Sequence, residues 1–218
     1  MEETNTLPQL SAEELRIIGC LIEKSKTTPE YYPMTLNSLQ TACNQKSSRK
    51  PVVNYSESTI VSALDALKRR GLISTVVGGG SRVTKYKHNV AIQFPLLPQE
   101  LAILCLLILR GPLTAGEINS NAGRLYDFEN LDEVQELLIK LSEGEVIYIK
   151  QLSKRPGQKE VRYVHLFAEV NEDDFDFSTG SSESVSQNNK QLEERVQSLE
   201  EQLAALRQEF DALMQQLS

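Results

Sequence analysis

Cationic and hydroxyl side chains are the most chemically suggestive feature of this sequence, and they concentrate between residues 46 and 87. The cations, whose charge suits phosphate oxygens, are Lys46, Arg49, Lys50, Arg69, Arg82, Lys85 and Lys87. The hydroxyl residues among them, which can hydrogen-bond to base edges, are Ser58, Thr59 and Ser62. Phosphate contacts position a protein on nucleic acid, whereas contacts in the grooves read its bases. These residues are therefore the candidate DNA-binding set.

Residues that usually carry catalysis or bind metals are sparse. The two histidines, His88 and His165, each follow a Tyr by two positions, and no third ligand recurs near both, so we interpret them as structural. The three cysteines, Cys20, Cys43 and Cys105, lie in or at the end of apolar helical runs without C-x-x-C spacing. We expect buried thiols, a reducing cytoplasmic location, no metal, no cofactor and no enzymatic activity.

Charge divides the chain unevenly. The formal net charge is -7. Residues 1–92 contribute +4 to it, residues 93–168 contribute -2, and residues 169–218 contribute -9. Only the first of these parts offers a polyanion a favourable surface. No apolar run reaches the roughly 18 residues needed to cross a bilayer, so no membrane contact is expected.

An internal repeat organises the first three quarters of the chain. Residues 11–92 are echoed in order by residues 97–168. The coinciding positions in the first helix are Glu14 and Glu100, Leu15 and Leu101, Ile17 and Ile103, and Leu21 and Leu107. A Thr N-cap, Thr35 or Thr114, is expected to open a second, short helix in each copy.

A third helix and a hairpin complete each copy. The apolar stripe Ile60, Ala63, Leu64 and Leu67 matches Val134, Leu137, Leu138 and Leu141, with the spacing of an amphipathic helix and with Ser56 as the N-cap in the first copy. Two β-rich stretches joined by a turn follow in both copies. Three helices and a hairpin are typical of a winged helix-turn-helix. The prediction is a mainly α fold with small β-hairpins (α+β), made of tandem winged-helix domains at 1–92 and 93–168.

The remaining residues predict a linker and a coiled coil. Residues 169–189 are acidic and polar without a basic residue, as in a flexible linker. In residues 190–218, apolar residues alternate spacings of four and three, the seam of a coiled coil. The predicted dimerisation residues are Leu192, Val196, Leu199, Leu203, Leu206, Phe210, Leu213 and Leu217. A parallel homodimer is favoured, and the alternative is a helix that folds back on its own domains.

Two segments leave their roles open. Residues 44–55 are long for the turn between the second and third helices, so they either carry function or form an Ω-like excursion that packs against the hairpin. In the second copy, acids surround the start of the third helix at Glu129, Asp132, Glu133 and Glu136. These would repel phosphates, so this copy is expected to contact protein instead.

The sequence also resembles a known family, on motifs dispersed over residues 10–168. The motifs are Leu21-Ile22-Glu23-Lys24, Thr27-Thr28-Pro29, residues 42–46 (ACNQK), residues 81–86 (SRVTKY), Leu109-Arg110-Gly111, residues 124–128 (RLYDF), Arg155-Pro156-Gly157 and residues 162–166 (RYVHL). These resemble the YceH-like proteins of bacteria. The resemblance implies a duplicated winged-helix fold in a family whose biochemical role is unassigned, and it carries over no functional residues.

Two functions remain open at this point. The first is a dimeric DNA-binding protein, such as a transcriptional regulator, that uses the third helix and wing of the first domain. The alternative is a protein-interaction scaffold that does not bind DNA directly, which the acidic balance of the whole chain favours.

Overall fold

The computed structural model describes residues 7–77, 83–154 and 158–171. Its helices are α1 (Ala12–Thr27), α2 (Leu36–Cys43), α3 (Glu57–Arg69), α4 (Val90–Gln93), α5 (Pro98–Arg110), α6 (Ala115–Ala122) and α7 (Leu131–Glu143), with a short 3-10 turn at Pro29–Tyr31. Its strands are β1 (Met34–Thr35), β2 (Ile73–Val77), β3 (Thr84–His88), β4 (Ile149–Gln151) and β5 (Tyr163–His165). The predicted α+β class is confirmed.

The three predicted side-chain caps fix where α2, α3 and α6 begin. The Thr35 hydroxyl accepts a hydrogen bond from the Ser38 amide, and Thr114 accepts one from Glu117. Ser56 accepts from the Thr59 amide and opens α3. These bonds satisfy amide groups that the first helical turn leaves without partners.

The helices α3 and α7 occupy equivalent places in the two repeats. Each has 13 residues, and their N-caps, Ser56 and Asn130, stand at matching positions. The residues they bury are Ile60, Ala63, Leu64 and Leu67 in α3, and Val134, Leu138 and Leu141 in α7. The apolar stripes read from the sequence are thus the faces that the two helices turn toward the core, although Leu137 of α7 is only partly buried.

A third β element joins each hairpin, and this was missed in the sequence. The hairpin β2–β3 is antiparallel, and β1 pairs with the other edge of β3, with Met34 opposite Tyr86. In the second repeat β4 pairs with β5, and a single bridge joins Leu113 to Tyr163. Met34 and Leu113 are each the apolar residue before the Thr that caps the next helix, so the two repeats share this closure.

Both repeats contribute to one core. A continuous cluster of buried side chains runs from Leu10 to Phe167 and includes residues of every helix from α1 to α7. The described residues belong to a single compact unit, in which α1 packs against α5. The boundary between domains at residues 92 and 93 stays a prediction. The linker at 169–189 and the coiled coil at 190–218 lie outside the described residues, except for residues 169–171.

Candidate nucleic-acid interface

The outward face of α3 holds the three hydroxyl residues predicted to read bases. Ser58 and Ser62 are exposed and Thr59 is half-buried. The Ser56 hydroxyl lies 2.8 Å from both the Ser58 and the Thr59 hydroxyl oxygens. Because a hydroxyl both donates and accepts, this cluster at the helix N-terminus can also bond to an external acceptor or donor.

Two further side chains on the same face were not singled out from the sequence. Val61 is 38% exposed, although α3 has a core face to receive apolar side chains. Asp65 is exposed one turn beyond Val61. A valine can contact a thymine methyl group, and a carboxylate can accept from a cytosine amino group. The sequence did contain a signal for Val61, because it is an apolar residue on a helix face that is otherwise polar.

The cations of α3 and β3 lie on the surface. Arg69 and Lys87 are exposed, and Lys85 is half-buried. Lys85 and Lys87 are two residues apart on a strand and so share one face, while Tyr86 between them packs against the core. Arg82 lies outside the described residues, so its predicted phosphate contact stays a prediction.

The α2–α3 loop (residues 44–55) holds its three cations in two different environments. Lys46 and Lys50 are exposed, but the Arg49 side chain is fully buried, with an exposed fraction of 0%. Its Nη1 and Nη2 donate to the two carboxylate oxygens of Glu23 at 3.0 and 2.7 Å. Further bonds from its Nε and Nη atoms reach the Ala42 and Ser48 carbonyls and the Gln45 side chain. Arg49 is therefore a structural cation, and the expectation that it pairs with phosphate is corrected.

Electrostatics agree with that structural role. Burial favours the neutral form of the Glu23 carboxyl, yet the hydrogen bonds and charge of Arg49 outweigh burial and lower its pKa. Lys24 adds a second cation 3.2 Å from Glu23. The burial of Arg49 could not be read from sequence, because Glu23 lies 26 positions away.

The second repeat holds the α2–α3 loop in place. The Lys50 amide donates to the Leu109 carbonyl at 2.9 Å, and the Arg110 Nη2 donates to the Ser48 hydroxyl at 3.0 Å. At the base of the loop, Asn44 and Tyr55 exchange two hydrogen bonds. These hydrogen bonds join the loop to α2 and to the C-terminal end of α5. One of the two predictions from the sequence had instead packed the loop against the hairpin.

In the second repeat, the face equivalent to that of α3 is acidic and apolar. Ser58, Ser62 and Arg69 of α3 correspond to Asp132, Glu136 and Glu143 of α7, all exposed. Asp65 corresponds to Ile139, which is 54% exposed. Of the four acids predicted to repel phosphate, Glu129, Asp132 and Glu136 are exposed and Glu133 is half-buried.

The cysteines lie in the interior, and the two histidines are half-buried. Cys20, Cys43 and Cys105 are buried free thiols, as predicted. Burial, with a smaller contribution from Lys26 in the case of His88, lowers the pKa of His88 and His165 to about 4. Within residues 7–77, 83–154 and 158–171, no three His, Cys, Asp or Glu side chains are grouped so that they could hold a metal.

Comparison with known proteins places this geometry in a family. A family model described as "Protein of unknown function, DUF480" matches residues 10–158. The chain belongs to this family. This confirms, at the level of the family, the resemblance to proteins of unassigned role. None of the helices in the described ranges is both long and apolar enough to span a membrane.

Similar proteins are found in Shewanella. A UPF0502 protein of Shewanella loihica is 44% identical over 193 residues, which cover 86% of this chain and 90% of that protein. A UPF0502 protein of Shewanella pealeana is 45% identical with the same coverage. One from Shewanella woodyi is 48% identical over 166 residues, or 73% of this chain and 75% of that protein.

Proposed function

We propose that residues 1–92 form a winged helix-turn-helix that binds duplex DNA. Three helices are followed by the β2–β3 hairpin, and the short strand β1 precedes α2 and completes the sheet. In this fold α3 enters the major groove while the hairpin, the wing, lies along the sugar-phosphate backbone. The equivalent order of elements in residues 93–168 supports the proposal of a second winged helix there.

The observation that carries the proposal is the composition of the outward face of α3. Small hydroxyl side chains, Ser58 and Ser62, occupy its first two turns, so the helix backbone can approach base edges closely. Exposed cations precede and follow that face along the chain, with Lys46 and Lys50 in the loop before the helix and Arg69 at its end. Such cations can neutralise the phosphates that border the major groove.

Each group has a defined part in the complex. Lys46, Lys50, Arg69 and Lys87 neutralise phosphates and set the position of the helix, and Arg82 and Lys85 of the wing join them. Ser58, Thr59 and Ser62 bond to base edges, with little selectivity. Arg49 does not touch DNA; it fixes the loop that carries Lys46 and Lys50. A surface of this modest charge gives salt-dependent and mainly nonspecific binding.

The C-terminal segment completes the proposal. A coiled coil over residues 190–218 joins two chains into a homodimer, so that two copies of α3 contact one duplex. A dimer of this kind is suited to a transcriptional regulator, because two half-sites add their binding energies.

The test is a titration of fluorescence anisotropy with random duplex DNA over a range of salt concentrations. The variant Lys85→Ala/Lys87→Ala removes two wing cations, and its matched control Lys154→Ala/Lys159→Ala removes two exposed cations of the second repeat. We expect the wing variant to bind less tightly, with a salt slope smaller by about 2, because each lost phosphate contact lowers it by about 0.9. Equal loss in both variants would show that only net charge matters, and absence of binding by the intact chain at low salt would end the proposal.

A second candidate function is a protein-interaction scaffold, and the α7 face favours it. Leu131 and Ile139 are 39% and 54% exposed and lie two turns apart beside the exposed acids Asp132 and Glu136. A basic protein surface with apolar side chains would complement this face. Retention of DNA binding in an Asp132→Ala/Ile139→Ala variant would show that this face does not contribute to DNA contact.

A further inference from the structure

The α2–α3 loop has an internal anchor and an external one. Internally, Arg49 is tied to Glu23 and to the carbonyl of Ala42, so the middle of the loop is fastened to α1 and α2. Externally, the residues on either side of Arg49 bond to the second repeat: Ser48 through its hydroxyl and Lys50 through its amide. The two exposed lysines of the loop are thus carried on a segment that both repeats hold.

The external anchor is built from a helix end. The last carbonyl groups of a helix have no partner within the helix. In α5, which ends at Arg110, the Leu109 carbonyl finds its partner in the Lys50 amide at 2.9 Å. The first repeat therefore caps a helix of the second. The same bond holds the Lys50 backbone at the C-terminal end of α5.

Arg110 supplies the side-chain part of the anchor. Its Nη1 donates to Asn121 Oδ1 at 2.6 Å, and its Nη2 donates to Ser48 Oγ at 3.0 Å. Asn121 is itself held by a bond to the Glu117 carbonyl at 2.6 Å. The Arg110 guanidinium is thus oriented by α6 at one terminal nitrogen and contacts the loop through the other.

Ser48 is the residue of the loop that most needs such a contact. It has a φ of 58°, in the left-handed region that residues other than glycine rarely adopt. A backbone of this kind persists when its surroundings hold it. The bond from Arg110 acts at this position, one residue from Arg49 and two from each of the exposed lysines.

We propose that Arg110 of the second repeat is a positioning residue for DNA binding by the first repeat. It holds Ser48, and through Ser48 it keeps Lys46 and Lys50 where they meet phosphates beside α3. This inference rests on the proposed function and adds that the second repeat works as the support of the DNA-binding loop. In this proposal Arg110 acts through Ser48, to which its Nη2 donates, while its Nη1 donates to Asn121.

A charge-neutral variant separates positioning from direct contact. Ser48→Ala removes the oxygen that accepts from Arg110 and alters no charge, and Ser47→Ala, at an exposed neighbour, is its matched control. Arg110→Ala removes the donor, and Arg124→Ala, at an exposed arginine of the same repeat, is the control for loss of one positive charge. All are made in the full chain, and urea unfolding establishes that each variant is folded.

We expect Ser48→Ala and Arg110→Ala to weaken binding of random duplex DNA by similar factors, about tenfold, the loss of one charge-assisted hydrogen bond. The double variant should bind like either single variant, because both break one link. The salt slope should fall by about 1 to 2 units as Lys46 and Lys50 lose their phosphates. Amide exchange at Lys50 should accelerate in Arg110→Ala without DNA present, since the Lys50 amide is part of the anchor.

Three results would overturn the inference. If Arg110→Ala weakens binding while Ser48→Ala does not, Arg110 contacts DNA itself. If both variants bind like the wild type while the wild type shows salt-dependent binding, the second repeat does not support the loop, and the proposed function survives alone. If the wild type does not bind DNA at low salt, both proposals fall together.

Discussion

Gly19 of α1 lies directly against Leu109 of α5, with no room for a side chain between them. A Cβ built on Gly19 would stand 2.7 Å from Cδ2 of Leu109 and 2.9 Å from Cγ2 of Ile108. At the same place, the Cys105 thiol donates to the Gly19 carbonyl at 3.4 Å. The first helices of the two repeats therefore pack at a distance that only glycine permits.

The variant Gly19→Ala should lower the free energy of unfolding by about 1–3 kcal/mol, because an added methyl group overpacks the helix contact. Urea unfolding at neutral pH measures this. Gly123→Ala is the control, since a Cβ at Gly123 would meet no atom within 4 Å and its φ of -50° suits alanine. A neutral result for Gly19→Ala would mean that the two helices can move apart at no cost.

The pair can also be tested by compensation. Leu109→Ala alone should destabilise the fold by about 2–5 kcal/mol through the cavity that it leaves. In the double variant the new methyl group of residue 19 faces that cavity, so the combined loss should be smaller than the sum of the two single losses. Additive losses would show that Gly19 and Leu109 do not interact.

Arg49→Ala should lower the free energy of unfolding by about 3 kcal/mol, because removal of one partner of a buried ion pair leaves the other uncompensated. The partner is Glu23, which among the described residues keeps the ion pair with Lys24. Lys46→Ala, at an exposed cation of the same loop, should change stability by no more than about 0.5 kcal/mol. If Arg49→Ala weakened DNA binding and left stability intact, Arg49 would have to leave its buried position to reach phosphate.

Stability should fall as the pH is lowered from about 6.5 to about 4. His88 and His165 have a pKa of about 4 in the folded chain and an ordinary value of 6.5. Between these two values the imidazoles are protonated in the unfolded chain and neutral in the folded chain. Lowering the pH through this interval therefore favours unfolding. Glu23, whose pKa is lowered from its ordinary value of 4.5 by Arg49, adds a loss in the same direction as the pH falls through about 4.5 and below.

Urea unfolding at a series of pH values tests this dependence. The variant His88→Gln/His165→Gln lacks both titrating rings and should show a flatter curve over the interval, whatever its stability at neutral pH. An unchanged slope would mean that the two imidazoles are not the groups that take up protons on unfolding.

The coiled-coil prediction is open to a separate test. Leu199→Lys/Leu206→Lys places two charges in the predicted seam and should convert a homodimer to a monomer in sedimentation equilibrium. Gln197→Lys/Ala204→Lys adds the same charge outside the seam and should leave the dimer intact. A wild-type chain that sediments as a monomer would favour a helix that folds back on its own chain.

Part of the candidate site could be predicted from the sequence. Ser58, Ser62 and Lys87 are on the surface as expected, because the period of an amphipathic helix and the alternation of a strand assign faces directly. Arg49 was wrongly grouped with the surface cations, because nothing local distinguishes it from Lys46 or Lys50. Arg110 was not recognised, because its partner Ser48 is 62 positions away.

The sequence by itself determined the local elements of this protein: the Thr and Ser caps, the apolar stripes of α3 and α7, the hairpins and the repetition of this order. Each depends on hydrogen bonds and side-chain spacing within a few residues, which the order of amino acids states directly. Only the tertiary structure decided that α1 crosses α5 at Gly19, that Arg49 is buried against Glu23, and that Arg110 reaches Ser48. Those contacts join residues far apart in the chain, and their energies depend on how the two repeats pack around one core.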